Sequence, residues 1–74
     1  MMIPLTKAKK QVYYEVVSLL GNTESNRFFD NIGCSVGEKI MVISTIGSNY
    51  VVKIKDGRFG IDKRFAEKIM VKIP

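Results

Sequence analysis

The sequence predicts a mainly β protein, a small closed or nearly closed barrel of about five strands with two short helices. The chain has 74 residues, of which 46% are hydrophobic, and this length allows one domain, expected to span residues 1–74. Short stretches rich in β-branched and aromatic residues alternate with turns rich in Gly, Asn and Asp. Closure of the sheet would protect strand edges that so short a chain could not otherwise cover.

The first strand is predicted from Val12 to Leu20, where β-branched and aromatic residues dominate. Gly21 and Asn22 end this strand. Both of its faces are largely apolar, so the sequence leaves its orientation open.

A short helix is predicted over about 23–32, because Thr23 can cap its first turn through the side-chain hydroxyl. Gly33 is placed to adopt the left-handed conformation that ends a helix. The apolar residues at helical spacing are expected to fill the core rather than to hold a ligand: Phe28, Phe29 and Ile32.

Two hairpins are predicted in the middle of the chain. A strand over Lys39–Thr45 leads into a Gly47-Ser48-Asn49 turn. A strand over Tyr50–Lys55 leads into an Asp56-Gly57 turn, the strongest hairpin signal in the sequence, and Arg58–Ile61 returns from it. Alternation predicts the residues that share one face in each strand: Ile40, Val42 and Ser44; Tyr50, Val52 and Ile54; and, facing inward, Phe59 and Ile61.

A second, one-turn helix is predicted over about 62–67, with Asp62 as its cap. The last strand then covers Lys68–Ile73. Its alternation directs three residues inward: Ile69, Val71 and Ile73.

Charge and composition exclude several classes of function. Lys and Arg number 12 against seven Asp and Glu, a net charge of +5 that can favour an anionic partner. The chain has no His and one Cys, which excludes His-based metal sites, His acid–base catalysis and an internal disulfide. The acids form no evident pair, and no glycine-rich phosphate loop is present. We therefore expect a binding role without catalytic, cofactor or metal residues.

Cys34 is the one residue that suggests reactive chemistry. No His can act as its base, so a buried apolar filler or an inert surface thiol is the expected role. A metal site that combines Cys34 with Asp30 or Glu38 lacks the ligand spacing of a dedicated site.

No membrane or export signal is found in the sequence. The longest stretch without a charge runs from Ile40 to Val52, short of the roughly 20 residues that a spanning helix needs. The cluster of Lys7, Lys9 and Lys10 is not followed by the apolar segment of a secretory signal. We therefore expect a soluble protein of the cytoplasm.

Several short motifs follow one another along nearly the whole chain. They are Leu5, Val16-x-x-Leu19-x-Gly21, Phe29-x-x-Ile32-Gly33, Gly37-Glu38-x-Ile40-x-Val42, Ile46-Gly47 and Phe59-Gly60-Ile61-Asp62-Lys63-x-x-Ala66-Glu67-x-Ile69-x-Val71. In this order and spacing they resemble the ferrous iron transport protein A (FeoA) family. The chain departs from the family pattern at Gln11, where Gly is usual, and at Val36, where Pro is usual.

The resemblance implies an SH3-like β-barrel and a cytoplasmic accessory protein of ferrous iron uptake. Members act with the ferrous iron transporter, a large membrane protein with a cytosolic GTPase domain. A related domain serves as an interaction module in iron- or manganese-responsive repressors. We therefore expect this chain, without a cofactor, to dock on the cytosolic region of the transporter and to tune it.

The candidate partner-binding residues are basic and expected to face outward: Lys53, Lys55 and Arg58. Such charges would influence association rate and its salt dependence. Two other functions stay open, a small basic nucleic-acid-binding barrel and a free-standing metal-responsive interaction module. The expected inward direction of Tyr50 and Phe59 counts against a platform for base stacking.

Overall fold

Six antiparallel strands form one sheet in the computed structural model, which describes residues 1–74. The elements in chain order are β1 (Ile3–Pro4), a 3-10 helix (Leu5–Lys7), β2 (Tyr13–Leu19), α1 (Thr23–Asn31), β3 (Lys39–Ile46), β4 (Asn49–Ile54), β5 (Gly57–Asp62), α2 (Lys63–Ala66) and β6 (Ile69–Lys72). The strand order β1-β6-β2-β3-β4-β5 leaves β1 and β5 at the edges. The mainly β fold class is confirmed, and β1 is a sixth strand that the sequence analysis did not predict.

Strand β2 pairs with β6 on one side and with β3 on the other. Its register with β6 shifts between Val16 and Ser18, and such a bulge bends the strand. Tyr14 and Val16 are buried, which resolves the orientation that the sequence left open. The Tyr14 hydroxyl accepts a hydrogen bond from the backbone N–H of Lys9 at 3.0 Å, so its polar end also has a partner.

Helix α1 is capped by Asn22, and the prediction that Thr23 is the cap was wrong. The backbone of Asn22 is extended, and its side-chain oxygen Oδ1 accepts from the backbone N–H of Ser25 at 3.0 Å. Thr23 is already the first residue of the helix, so its side chain starts one position too late for this contact. At the other end Gly33 has φ +78°, the left-handed conformation that was predicted to end the helix.

Three aromatic rings join α1 to α2. Phe29 is fully buried, whereas Phe28 is half-buried against the core. Phe65 of α2 stacks on Phe28 with ring centroids 5.1 Å apart and meets Phe29 edge-on at 6.1 Å. Such pairs contribute about 0.5–1.5 kcal/mol beyond the area that they bury. The prediction that the helix aromatics fill the core is confirmed.

Strands β3, β4 and β5 form the predicted meander. Their alternating aliphatic residues enter the core: Ile40, Val42, Val52, Ile54 and Ile61. The register of β3 with β4 shifts between Val42 and Ser44, so Ser44 lies opposite the outward-facing Val51. The prediction that Ser44 shares a face with Val42 was wrong, because a bulge inserts one residue and reverses the alternation after it.

Gln11 forms two hydrogen bonds to the bulge in β3. Its backbone N–H donates to the Val42 carbonyl at 2.8 Å, and its side-chain Nε2 donates to the Ile43 carbonyl at 2.9 Å. The φ of Gln11 is +65°, a conformation that favours glycine. This geometry explains why a Gly would suit the position, and it gives the Gln side chain a compensating contact.

The hairpin between β4 and β5 turns one residue earlier than predicted. Ile54 pairs with Gly57, so Lys55 and Asp56 form the turn, with φ +54° at Lys55. Gly57 is therefore a strand residue, and the prediction that it serves the turn was wrong. A Cβ atom on Gly57 would lie 2.6 Å from Cζ of Phe59, so the absence of a side chain there makes room for the Phe59 ring.

The last part of the chain confirms the predicted cap and most of the final strand. Asp62 Oδ1 accepts from the backbone N–H of Arg64 at 2.8 Å and starts α2. Ile69 and Val71 are buried, but Ile73 is 64% exposed, so its predicted inward direction was wrong. Strand β6 ends at Lys72 and leaves Ile73 without a paired strand to hold it over the core.

Cys34 lies in the core at the end of α1. Its side chain is fully buried, and its backbone N–H donates to the Phe29 carbonyl at 2.8 Å. Burial, and then the negative charge of Glu38, raises the pKa of the Cys34 thiol to about 11. Of the two predicted roles, the structure corresponds to the buried apolar filler.

None of the three helices is long and apolar enough to cross a membrane.

Two substitutions of Gln11 separate the cost of its left-handed backbone from the contribution of its side-chain hydrogen bond. Gln11→Gly and Gln11→Ala both remove the bond to Ile43, but only Ala keeps a Cβ in the left-handed conformation. We expect Gln11→Ala to be less stable than Gln11→Gly by about 1 kcal/mol in urea unfolding. An alanine variant as stable as the glycine variant would contradict this account.

Two strand glycines should respond differently to the same added methyl group. We expect Gly57→Ala to lower the free energy of unfolding by about 1–2 kcal/mol, since the methyl group meets the Phe59 ring. Gly60→Ala is the matched control on the same strand, because a Cβ there meets nothing within 4 Å. Its stability should be unchanged or raised by about 0.5 kcal/mol. Equal losses in both variants, measured by urea unfolding, would contradict the packing argument.

The raised pKa of the Cys34 thiol makes a pH-dependent contribution to stability. This contribution is complete below pH 9.0, the ordinary pKa, and is lost as the pH rises to about 11, because the unfolded chain then releases its thiol proton first. We expect the difference in unfolding free energy between wild type and Cys34→Ala to narrow across this range. Every other ionisable group is common to both proteins, so its contribution cancels in the comparison. A difference that stays constant up to pH 11 would show that the thiol titrates normally.

Candidate interaction surface

The structure brings two of the three candidate basic residues together. Lys53 on β4 lies directly opposite Arg58 on β5, so their side chains share the face of the sheet that points away from the core. Lys53 is half-buried, and Arg58 is exposed. Neither side chain forms an ion pair within the chain.

Lys55 is separated from this pair by the turn. Its Nζ lies 3.5 Å from Oε2 of Glu38, in the loop between α1 and β3. The Lys55 side chain is 62% exposed, and a pair this exposed contributes little to stability. The carboxylate nevertheless offsets the Lys55 charge locally, so Lys53 and Arg58 are the stronger candidates for contact with a partner.

The row that contains Lys53 and Arg58 continues across the sheet. Met41 on β3 lies opposite Lys53, and Tyr13 on β2 lies opposite Met41. We call these four residues, Tyr13, Met41, Lys53 and Arg58, the outer row. Tyr13 is 42% exposed, and neither Tyr13 nor Met41 packs against the core. The outer row therefore joins an apolar end on β2 and β3 to a basic end on β4 and β5.

Sequence reasoning missed the apolar end of this row. The alternation of side chains predicted that Met41 lies on the second face of its strand, but it did not predict that Met41 lies opposite Lys53. Tyr13 belonged to a strand whose orientation was open. No signal in the sequence identifies either contact, because a bulge in β3 shifts the β3–β4 register and because Tyr13 meets Met41 across β2 and β3, which are separated by α1.

A shallow surface pocket of about 250 Å³ lies where α1 begins beside α2, lined by Asn22, Glu24, Ser25, Arg64, Phe65 and Lys68. Three of its polar residues form hydrogen bonds at the N-termini of the two helices: Asn22, Ser25 and Arg64. The Ser25 hydroxyl donates to Asn22 at 3.2 Å, and Arg64 Nε donates to Asp62 Oδ1 at 3.1 Å. The hydrogen bonds from the backbone and side chain of Arg64 lower the pKa of the Asp62 carboxyl. We assign these groups to the local fold.

The residues considered for a metal site are not gathered in one place. No group of three His, Cys, Asp or Glu side chains comes together in the chain. Cys34 is sealed in the core, Asp30 is exposed on α1, and Glu38 is engaged with Lys55. The arrangement around Cys34 is therefore one of packing.

Comparisons with known proteins agree with the fold. A family model described as the FeoA domain matches residues 3–73. The crystal structure of an iron uptake regulatory protein (FeoA) superposes with a TM-score of 0.88 and 26% identity, over 97% of this chain and 96% of that one. No curated protein sequence gives a significant match.

Two further solved structures share the fold at lower identity. The FeoA-like protein from Clostridium acetobutylicum has a TM-score of 0.86 and 16% identity, over 97% of this chain and 86% of that one. A manganese-dependent transcriptional repressor has a TM-score of 0.91 and 17% identity, with 99% of this chain but 42% of the repressor covered. The SH3-like architecture implied by the resemblance is thus confirmed. Since the family match spans nearly the whole length, the chain belongs to the FeoA domain family, and this membership implies a role in ferrous iron transport.

Proposed function

We propose that this chain is a non-catalytic cytoplasmic accessory protein of ferrous iron uptake, which docks on the cytosolic region of the GTPase-bearing ferrous iron transporter and tunes it. Membership of the FeoA family supports the assignment to ferrous iron transport. The observation that carries the docking step is the outer row, which places four side chains on four neighbouring strands, with the aromatic and thioether groups free of the core.

The two ends of the outer row suit different tasks in binding. Tyr13 offers a large, rigid side chain of the kind enriched at protein interfaces, and Met41 is flexible and polarisable. Lys53 and Arg58 carry positive charge that can steer an acidic surface toward the sheet. The row is therefore complementary to a partner surface on which an apolar contact and acidic side chains lie side by side.

The reactive groups of the chain favour binding over turnover. The Cys34 thiol is enclosed, and its raised pKa keeps it protonated near neutral pH. The Asp62 carboxylate caps α2 and is held by Arg64. Each group with a shifted pKa thus has a role in the fold.

Nucleic-acid binding remains the weaker alternative. Tyr50 and Phe59, which could have stacked on bases, pack against the core. Tyr13 is then the exposed ring on the outer face. Filter binding over a range of salt concentrations tests this alternative, since affinity for nucleic acid must fall steeply as salt rises.

Charge reversal at Lys53 tests the docking surface. We expect Lys53→Glu to weaken binding to the isolated cytosolic region of the transporter by about fivefold, mainly through slower association, and to reduce its salt dependence. We expect Tyr13→Ala to weaken binding by about tenfold, mainly through faster dissociation. Biolayer interferometry with and without guanine nucleotide measures both rates.

Lys55→Glu is the matched control, because it changes the net charge equally at a residue outside the outer row that already faces Glu38. Its association rate should be closer to that of the unmodified chain. If the unmodified chain fails to bind the transporter region in either nucleotide condition, the proposed function is wrong. If Lys55→Glu weakens binding as much as Lys53→Glu, the outer row is not the contact.

A further inference from the structure

The free edge of β5 is the part of the sheet whose backbone has no partner. Strand β5 ends the strand order, and its six residues pair only with β4. Arg58 and Gly60 are exposed along this edge. After Asp62 the backbone N–H of Lys63 donates to the Ser48 carbonyl at 2.7 Å, so the β4–β5 register continues for one residue beyond the strand.

The pairing register decides which backbone groups point outward. A two-residue hairpin loop is closed by a hydrogen-bonded pair, here Ile54 with Gly57, and hydrogen-bonded pairs then alternate with non-hydrogen-bonded ones. The N–H and C=O groups of Gly57, Phe59 and Ile61 therefore point toward β4. Those of Arg58 and Gly60 point to the free edge, and so does the N–H of Asp62, whereas the Asp62 carbonyl accepts the first hydrogen bond of α2.

Gly60 has no local reason to be glycine. Its φ lies outside the left-handed range, and a Cβ at this position would meet nothing within 4 Å. Glycine in a strand interior weakens the strand and often marks a place where another backbone approaches closely. The opposite edge of the sheet differs, because β1 has only two residues and one of them, Pro4, lacks an N–H.

We propose that the β5 edge pairs with the β5 edge of a second copy of this chain, antiparallel about a two-fold axis at Gly60. In this register Gly60 lies opposite Gly60 of the second copy, and Arg58 lies opposite Asp62 of the second copy. The two Gly60 residues then form a hydrogen-bonded pair, and the Asp62 N–H of each copy donates to the Arg58 carbonyl of the other. The two sheets join into one continuous sheet through the symmetry that is commonest among homodimers.

The side chains on the outer face fit this register. On the outer face Arg58 has no ion-pair partner within its own chain. Asp62 uses only Oδ1 to hold Arg64, which leaves Oδ2 for Arg58 of the second copy. On the core face the half-exposed Phe59 lies beside the edge, and Ile61 is fully buried within its own chain and adds no contact across the interface.

We expect the dimer to be weak. A single strand edge buries much less area than a stable interface, and each copy carries a net charge of +5. We expect a dissociation constant on the order of 100 µM. The association therefore responds to local concentration, as when several copies gather at one place.

Sedimentation velocity on the full chain, from about 10 µM to about 1 mM, tests the dimer. We expect Arg58→Glu to weaken it at least about tenfold, because the new carboxylate faces Asp62 of the second copy at both ends of the interface. Lys53→Glu is the matched control, since it makes the same charge change one strand away from the edge. Its effect should stay within about twofold.

Amide hydrogen exchange by NMR tests the register without a substitution. The amides of Gly60 and Asp62 should gain protection as concentration rises, whereas those of Phe59 and Ile61 should be protected throughout. A monomer at about 1 mM overturns the proposal and leaves the edge to an extended segment of another protein. Equal weakening by Arg58→Glu and Lys53→Glu, or protection that grows elsewhere, also overturns it.

Discussion

Burial of one face of every long strand in a shared core is the constraint on which the rest of this structure depends. Thirteen buried residues form a single cluster, which begins with Leu5 near one end of the chain and closes with Val71 near the other. Because side chains alternate along a strand, committing one face to this cluster turns the other face outward. The outer row of Tyr13, Met41, Lys53 and Arg58 is the consequence, so the same pattern that stabilises the fold also presents the surface proposed for docking.

A few unusual backbone positions decide which residues meet on that surface. Gln11 adopts a left-handed conformation and bonds to β3 beside its bulge, where the alternation reverses and Ser44 joins Val51 on the outer face. Lys55, also left-handed, closes the β4–β5 hairpin one residue early and so sets Lys53 opposite Arg58. These positions act through register, since a shift of one residue would move every side chain of a strand to the other face.

The polar groups with altered chemistry serve the framework. Asp62 starts α2, the short helix that carries Phe65 onto the aromatic rings of α1. Cys34 fills the space at the end of α1. Their pKa values shift in opposite directions, because hydrogen bonds stabilise the Asp62 carboxylate while burial disfavours the Cys34 thiolate. The surfaces that remain for binding are the outer row and the β5 edge, where the chemistry of neither group is required.

The sequence by itself determined most of the strand and helix segments, the helix-ending role of Gly33, the cap at Asp62 and the family to which the chain belongs, because these depend on local conformation and on the spacing of residues. It also identified Lys53 and Arg58 as outward residues. Only the tertiary structure decided that Lys55 turns to Glu38, that Ile73 lies outside the core, and that Tyr13 and Met41 complete the row. These depend on which strands lie side by side and in what register, and contacts across strands distant in sequence leave no trace in local propensity.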